Sequence, residues 1–124
     1  MSIIRACRFK RVEWEYIDCC ITYIQQNYLE PITAVQLADD FKINIRKLHK
    51  GFKVKTGSSV HEYLLKVRLE NAKSLLLDWD LEIKEIPQKV GFNTASYFGQ
   101  VFKDRIGLTP QEYRLQQGTN ALIK

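Results

Sequence analysis

The chain has 124 residues, 45% of them hydrophobic, and a formal net charge of +5 at pH 7. That length supports one compact domain, or two small subdomains sharing an element, with a core that needs no disulfide framework. No run of about eighteen apolar residues occurs, and the opening MSIIRACRFKRVEWEY lacks the apolar centre of a signal peptide, so a soluble cytoplasmic chain is expected and a membrane protein is excluded.

Residues 1–13 contain the basic run RACRFKR. It reads as a disordered arm, a linker from a larger parent or a phosphate contact, and the sequence does not choose among these. Apolar residues then fall at Trp14, Ile17, Ile21, Ile24 and Tyr28, the stripe of a helix that stops before Pro31. Cys7, Cys19 and Cys20 make an odd count with no framework spacing. Neighbouring positions on a helix point to different sides, so the cysteines read as small buried or half-exposed residues in a reducing setting.

Thr33 is a good N-cap for a short helix carrying Val35, Leu37, Ala38 and Phe41, and after a turn Asn44 caps a second helix that runs toward Gly57. The predicted unit is helix, tight turn, helix. Its second half, KINIRKLHKGFKVKTG, holds most of the charge excess. Residues 41–61 carry six bases and no acid, whereas residues 1–40 and 62–124 sum to −2 and +1.

On a helical wheel with Arg46 at zero and about 100° per residue, His49, Lys50 and Lys53 fall within roughly 60° of it, as does Lys42 only if the turn continues the spiral, while Ile45, Leu48 and Phe52 cluster near −100° to −160°. One face is core and its neighbour is basic. A solvated helix gains from acids spaced at i,i+4, and none is supplied here. Duplex phosphates compensate such crowding by releasing counterions, and a helix-turn-helix lays its second helix in the major groove. The candidate contact set on this helix is Asn44, Arg46, Lys47, His49, Lys50 and Lys53.

Ser58 or Ser59 caps a long helix over about residues 58–77, with Val60, Leu64, Val67, Ala72, Leu75 and Leu76 at helical spacing. Taken as 20 residues it spans roughly 30 Å, close to the 34–36 Å at which one face of a DNA groove recurs.

The next segment repeats the first. At an offset of fifty, Leu48 matches Phe98, Phe52 matches Phe102, Lys53 matches Lys103, Gly57 matches Gly107, Glu62 matches Glu112 and Tyr63 matches Tyr113. Before the turn the offset is forty-nine, pairing Leu37 with Ile86 and Ile43 with Phe92. The second outer face is polar rather than basic, and its candidate contacts are Thr94, Ala95, Ser96, Gly99, Gln100 and Lys103. Ser96 and Gln100 can hydrogen-bond bases or phosphates, and Gly99 permits close approach.

Other chemistry is poorly supported. His49 and His61 lack partners at metal-ligand spacing, so no metal or cofactor is expected, and His61 reads as a surface residue. Asp39–Asp40 and Asp78–Asp80 border helix ends with no nucleophile or phosphate loop beside them, so an enzyme is not expected. Trp14, Phe52, Phe92, Phe98 and Phe102 sit at core spacing, which argues against a base-stacking platform for single strands.

The stretches VGFNTASYFGQVFKDRIGLTPQEYR and VRLENAKSLLL are similar to the motifs of the AraC-type (AraC/XylS) bacterial transcription regulators, over about residues 14–117. The resemblance implies an all-α fold of about seven helices. It places a first helix-turn-helix unit at about 14–57, a linker helix at about 58–77, a second unit at about 82–117 and a tail at 118–124. It also implies binding of double-stranded DNA in adjacent major-groove segments, and commonly activation through RNA polymerase. Base-reading positions of the family fall on Arg46, His49 and Lys50, and on Ala95, Ser96, Gly99 and Gln100.

Two positions depart from the pattern. Pro87 replaces an alanine inside the second support helix, where its ring bends or delays the helix. Lys42 replaces a turn glycine, where left-handed backbone costs about 1 kcal/mol. No sensor segment fits outside 14–117, so the expectation is a small standalone regulator or a fragment of one whose sensor or dimerisation domain lies elsewhere. The competing reading is a protein-interaction module whose basic helix meets an acidic partner.

Overall fold

The computed structural model describes the main chain of residues 13–123 and side chains through residue 118; the RACRFKR run lies outside the described residues. Seven α-helices are present among them: α1 Glu13–Gln26, α2 Ala34–Asp40, α3 Ile45–Thr56, α4 Val60–Leu76, α5 Ile86–Lys89, α6 Ala95–Ile106 and α7 Pro110–Ile123. A single 3-10 turn, Ile83–Glu85, precedes α5. The all-α architecture with two helix-turn-helix units is the expected one, and α7 runs on across most of the segment set aside as a tail. No helix among the described residues is long and apolar enough to cross a membrane.

The chain divides into two compact units between Val67 and Arg68, within α4. That helix has 17 residues rather than 20, a length of about 26 Å at 1.5 Å per residue. In the first unit, Ile17, Cys20 and Ile24 of α1 pack with Leu37, Phe41, Leu48, Phe52, Val60 and Leu64 in one buried cluster. Burying a side chain the size of Phe52 contributes about 1.5–3 kcal/mol, so this cluster fixes where α3 can lie. Cys20 rather than Ile21 completes the α1 stripe, and burial pushes its thiol up to about 12. Cys19, one position round the helix, is half-exposed as expected but disulfide-bonded, which goes against the reducing setting read from the cysteine count. Spacing along the sequence carries no information about such a pairing.

The internal repeat extends to the caps. Asn44 and Thr94 cap α3 and α6, the former accepting from the amides of Arg46 and Lys47 at 2.8 and 3.4 Å, the latter from Tyr97 at 3.1 Å. Gly57 and Gly107 close those helices in left-handed conformation at φ 76° and 91°, each donating its N–H to the carbonyl of Lys53 or Lys103. Ser59 with Glu62, and Thr109 with Glu112, form reciprocal capping boxes at the starts of α4 and α7. Phe52 meets Tyr63 edge-on at 5.5 Å and 75°, and Phe102 meets Tyr113 at 5.7 Å and 77°.

The turns differ as the sequence suggested. Lys42 adopts φ 56°, the left-handed region that Gly91 occupies at 98° in the second copy. Pro87 delays its helix rather than bending it: it stands at the start of α5, and the preceding turn is 3-10, with the Glu82 amide donating to the Glu85 carboxylate at 2.8 Å. A missing amide is tolerated there because the first helical amides have no intrahelical partner. Buried Arg114 anchors the second unit, its Nε donating to the Leu76 carbonyl at 2.8 Å and an Nη to that of Asp78 at 3.0 Å. Its guanidinium lies 5.4 Å from the Trp79 ring centre.

Candidate nucleic-acid interface

In the first unit α3 is held from two sides. Leu48 and Phe52 anchor it in the core, and Gly51 brings it against α1 so closely that a Cβ there would lie 2.8 Å from Ile17 Cγ1. The opposite surface is left open: Arg46, Lys47, His49, Lys50 and Lys53 are all exposed.

These cations are not equivalent. Lys47 pairs with Glu13 of α1 at 2.7 Å, and Lys55 pairs with Asp18 at 3.2 Å while lying 5.7 Å from the Trp14 ring centre. No ion pair among the described residues engages Arg46, Lys50 or Lys53. The helix therefore has three sectors: an apolar one in the core, one neutralised by α1, and a bare one made of Arg46, His49, Lys50 and Lys53. The acids absent from residues 41–61 are supplied from more than thirty residues upstream, which the window of charge could not show. Asn44, the remaining predicted contact, has its side-chain oxygen engaged in capping.

Trp14 corrects the reading of a core aromatic. It is 45% exposed, on the first turn of α1, and borders a recess of about 340 Å³ with Glu13, Ile43, Lys47, Lys50 and Val54. Periodicity gives an azimuth around the helix axis but not how far along the axis a neighbour extends. By contrast Phe52, Phe92, Phe98 and Phe102 are buried as expected, and His61 is exposed.

In the second unit Phe98, Val101 and Phe102 turn inward and α6 exposes Thr94, Ala95, Ser96, Gln100 and Lys103, with Gly99 partly covered. Thr94 is engaged as the cap, and Lys103 pairs with Glu112 at 3.5 Å. A Cβ at Gly99 would meet nothing within 4 Å. Ser96, Gly99 and Gln100 border an open groove of about 520 Å³ together with Lys84, Pro87 and Gln111. Lys84 and Gln111 were not among the sequence-derived candidates; their place beside α6 follows from the 3-10 turn and from the start of α7, neither of which the helical period reveals. Tyr97 is also exposed on α6, and Arg68 lies 5.9 Å from the Phe92 ring centre, its pKa lowered by burial.

A helix-turn-helix domain model matches residues 37–116. Over 83% of its length the chain is 35% identical to the HTH-type transcriptional regulator YpdC of Escherichia coli, and over 74% it is 37% identical to the xylose operon regulatory protein of the same species. It spans only 36% and 24% of those relatives. Among solved structures, the C-terminal domain of AraT, a response regulator from Geobacillus stearothermophilus, matches with a TM-score of 0.76 and 31% identity, covering 82% of this chain and 84% of that one.

Proposed function

The chain belongs to the AraC-type helix-turn-helix family, and from that premise we propose that it binds double-stranded DNA sequence-specifically and activates transcription through contact with RNA polymerase. The family is one of DNA-binding regulators rather than enzymes, and the chain acts in this reading on chromosomal DNA in the cytoplasm, with any effector or dimerisation function supplied by another domain. Helix α3 is the principal reader and α6 the second, each entering a major-groove segment of its own.

The observation that carries this is the bare sector of α3. Arg46, His49, Lys50 and Lys53 project from a capped, core-anchored helix, and no ion pair among the described residues engages them. Arg46 and Lys50 suit guanine O6 and N7, and Lys53, nearer the end of the helix, suits a phosphate. On α6, Gln100 suits adenine and Ser96 either a base edge or a phosphate. Selection of bound sequences from a random duplex library tests the whole reading. One enriched motif is the expected result, and its length tells whether both units engage. Arg46→Ala should cost about 1–3 kcal/mol on that motif and relax one base pair, whereas Lys53→Ala should weaken all sequences alike. No enrichment, with no retention of duplex at moderate salt, would favour the acidic-protein partner instead.

A further inference from the structure

We infer that Glu13 and Asp18 of α1 hold Lys47 and Lys55 out of the phosphate-contacting set, so that α1 limits how strongly this domain binds duplex regardless of sequence; the inference rests on the DNA-binding reading of α3. Two contacts define the arrangement, Lys47 Nζ to Glu13 Oε1 at 2.7 Å and Lys55 Nζ to Asp18 Oδ1 at 3.2 Å. Both acids belong to α1, and both lysines lie on the side of α3 that turns toward it. The two pairs bracket Gly51, where α3 lies too close to Ile17 of α1 to admit a Cβ.

An exposed ion pair is weak, and by attraction alone it would not keep a lysine from a phosphate. The carboxylate acts twice, however. It competes for the ammonium, and it repels the phosphate that would replace it across the same few ångströms. A lysine so placed neutralises no phosphate, and so displaces none of the counterions condensed on the duplex. Six bases in one window thus do not act as six. Sequence-independent affinity is restrained, and the bare sector that can read bases carries a larger share of the binding. On this reasoning Lys47 leaves the candidate contact set given by the sequence.

The test measures affinity for a random-sequence duplex as a function of salt. Each neutralised phosphate contributes about 0.9 to the slope of log affinity against log salt. Lys47→Gln in the native background should leave that slope unchanged, whereas Lys53→Gln should lower it by about 0.9. Glu13→Gln with Asp18→Asn should steepen it by about 0.9 for each lysine released, and adding Lys47→Gln to that pair should then take about 0.9 away. Circular dichroism confirms that the acid variants are folded. The inference is overturned if Lys47→Gln alone flattens the slope as much as Lys53→Gln, or if the acid variants leave it unmoved. A slope indifferent to Lys53→Gln and Lys50→Gln as well would mean that the DNA-binding reading itself had failed.

Discussion

Gly51 and Gly99 each interrupt a recognition helix, and the structure gives them opposite consequences. A glycine inside a helix costs about 0.8–1.0 kcal/mol relative to alanine. At Gly99 an added Cβ meets nothing within 4 Å, so Gly99→Ala should stabilise the free protein by most of that amount. At Gly51 the same Cβ would lie 2.8 Å from Ile17 Cγ1, 2.9 Å from its Cδ1 and 3.5 Å from the Trp14 ring. Ile17 is itself buried in the core, at the edge of the recess that Gly51 and Trp14 also border, so relieving the contact means shifting a packed side chain. Overpacking of this kind costs about 1–3 kcal/mol, which leaves Gly51→Ala between neutral and about 2 kcal/mol destabilising. Urea unfolding followed by far-ultraviolet circular dichroism measures both. Ile17→Val, which removes Cδ1, should recover part of the loss when combined with Gly51→Ala, and the four-variant cycle isolates that coupling. If Gly51→Ala stabilised as much as Gly99→Ala, the close contact between α1 and α3 would be refuted, and with it the placement of Glu13 and Asp18 beside the lysines.

Asn44→Ala should cost about 1 kcal/mol, because its side-chain oxygen accepts from two amides at the start of α3; a change of only a few tenths in the urea midpoint analysis would contradict the cap. Glu112 has its pKa lowered by the Thr109 amide and hydroxyl and by Lys103. A depressed folded value means its contribution is present above the ordinary carboxylate range and is lost as pH falls through the depressed one. The thermal-midpoint gap between the native protein and Glu112→Gln should therefore be widest near neutral pH and close in acid, and a gap that widened in acid would reverse the sign. With its thiol pushed up to about 12 by burial, Cys20 should resist iodoacetamide at neutral pH until urea unfolds the chain, as mass mapping of the labelled peptide would show.

Much of the fold was legible because it is written locally. Thr33, Asn44, Gly57 and, through the repeat, Gly107 act within three or four residues of themselves, and a cap or a left-handed closure depends on little else. The duplication could be followed residue by residue for the same reason: Leu48 with Phe98 and Phe52 with Phe102 occupy equivalent buried positions. What stayed hidden was non-local. The partners of Lys47 and Lys55 lie thirty-four and thirty-seven residues away, so the charge window appeared wholly unopposed when one flank of it is neutralised. Trp14 has the azimuth of a core residue yet stays 45% exposed, on the rim of a recess beside Gly51 and Lys55 of α3. Pro87 was placed within its helix, although the chain can spend one 3-10 turn first and begin the α-helix at Ile86, with the proline in its first turn. Lys84 and Gln111 reach the α6 groove through those same connections.

Arg114 bears on where the chain can be cut. Its guanidinium closes off two carbonyls at the end of α4 and just beyond, and stacks by Trp79, whose ring in turn lies within 3 Å of where a side chain at Gly118 would begin. A fragment ending at Tyr113 would retain both helix-turn-helix motifs and still leave those carbonyls without their donor. A version of the second unit that keeps both bonds therefore runs at least through Arg114, and one that keeps the approach to Trp79 runs to Gly118.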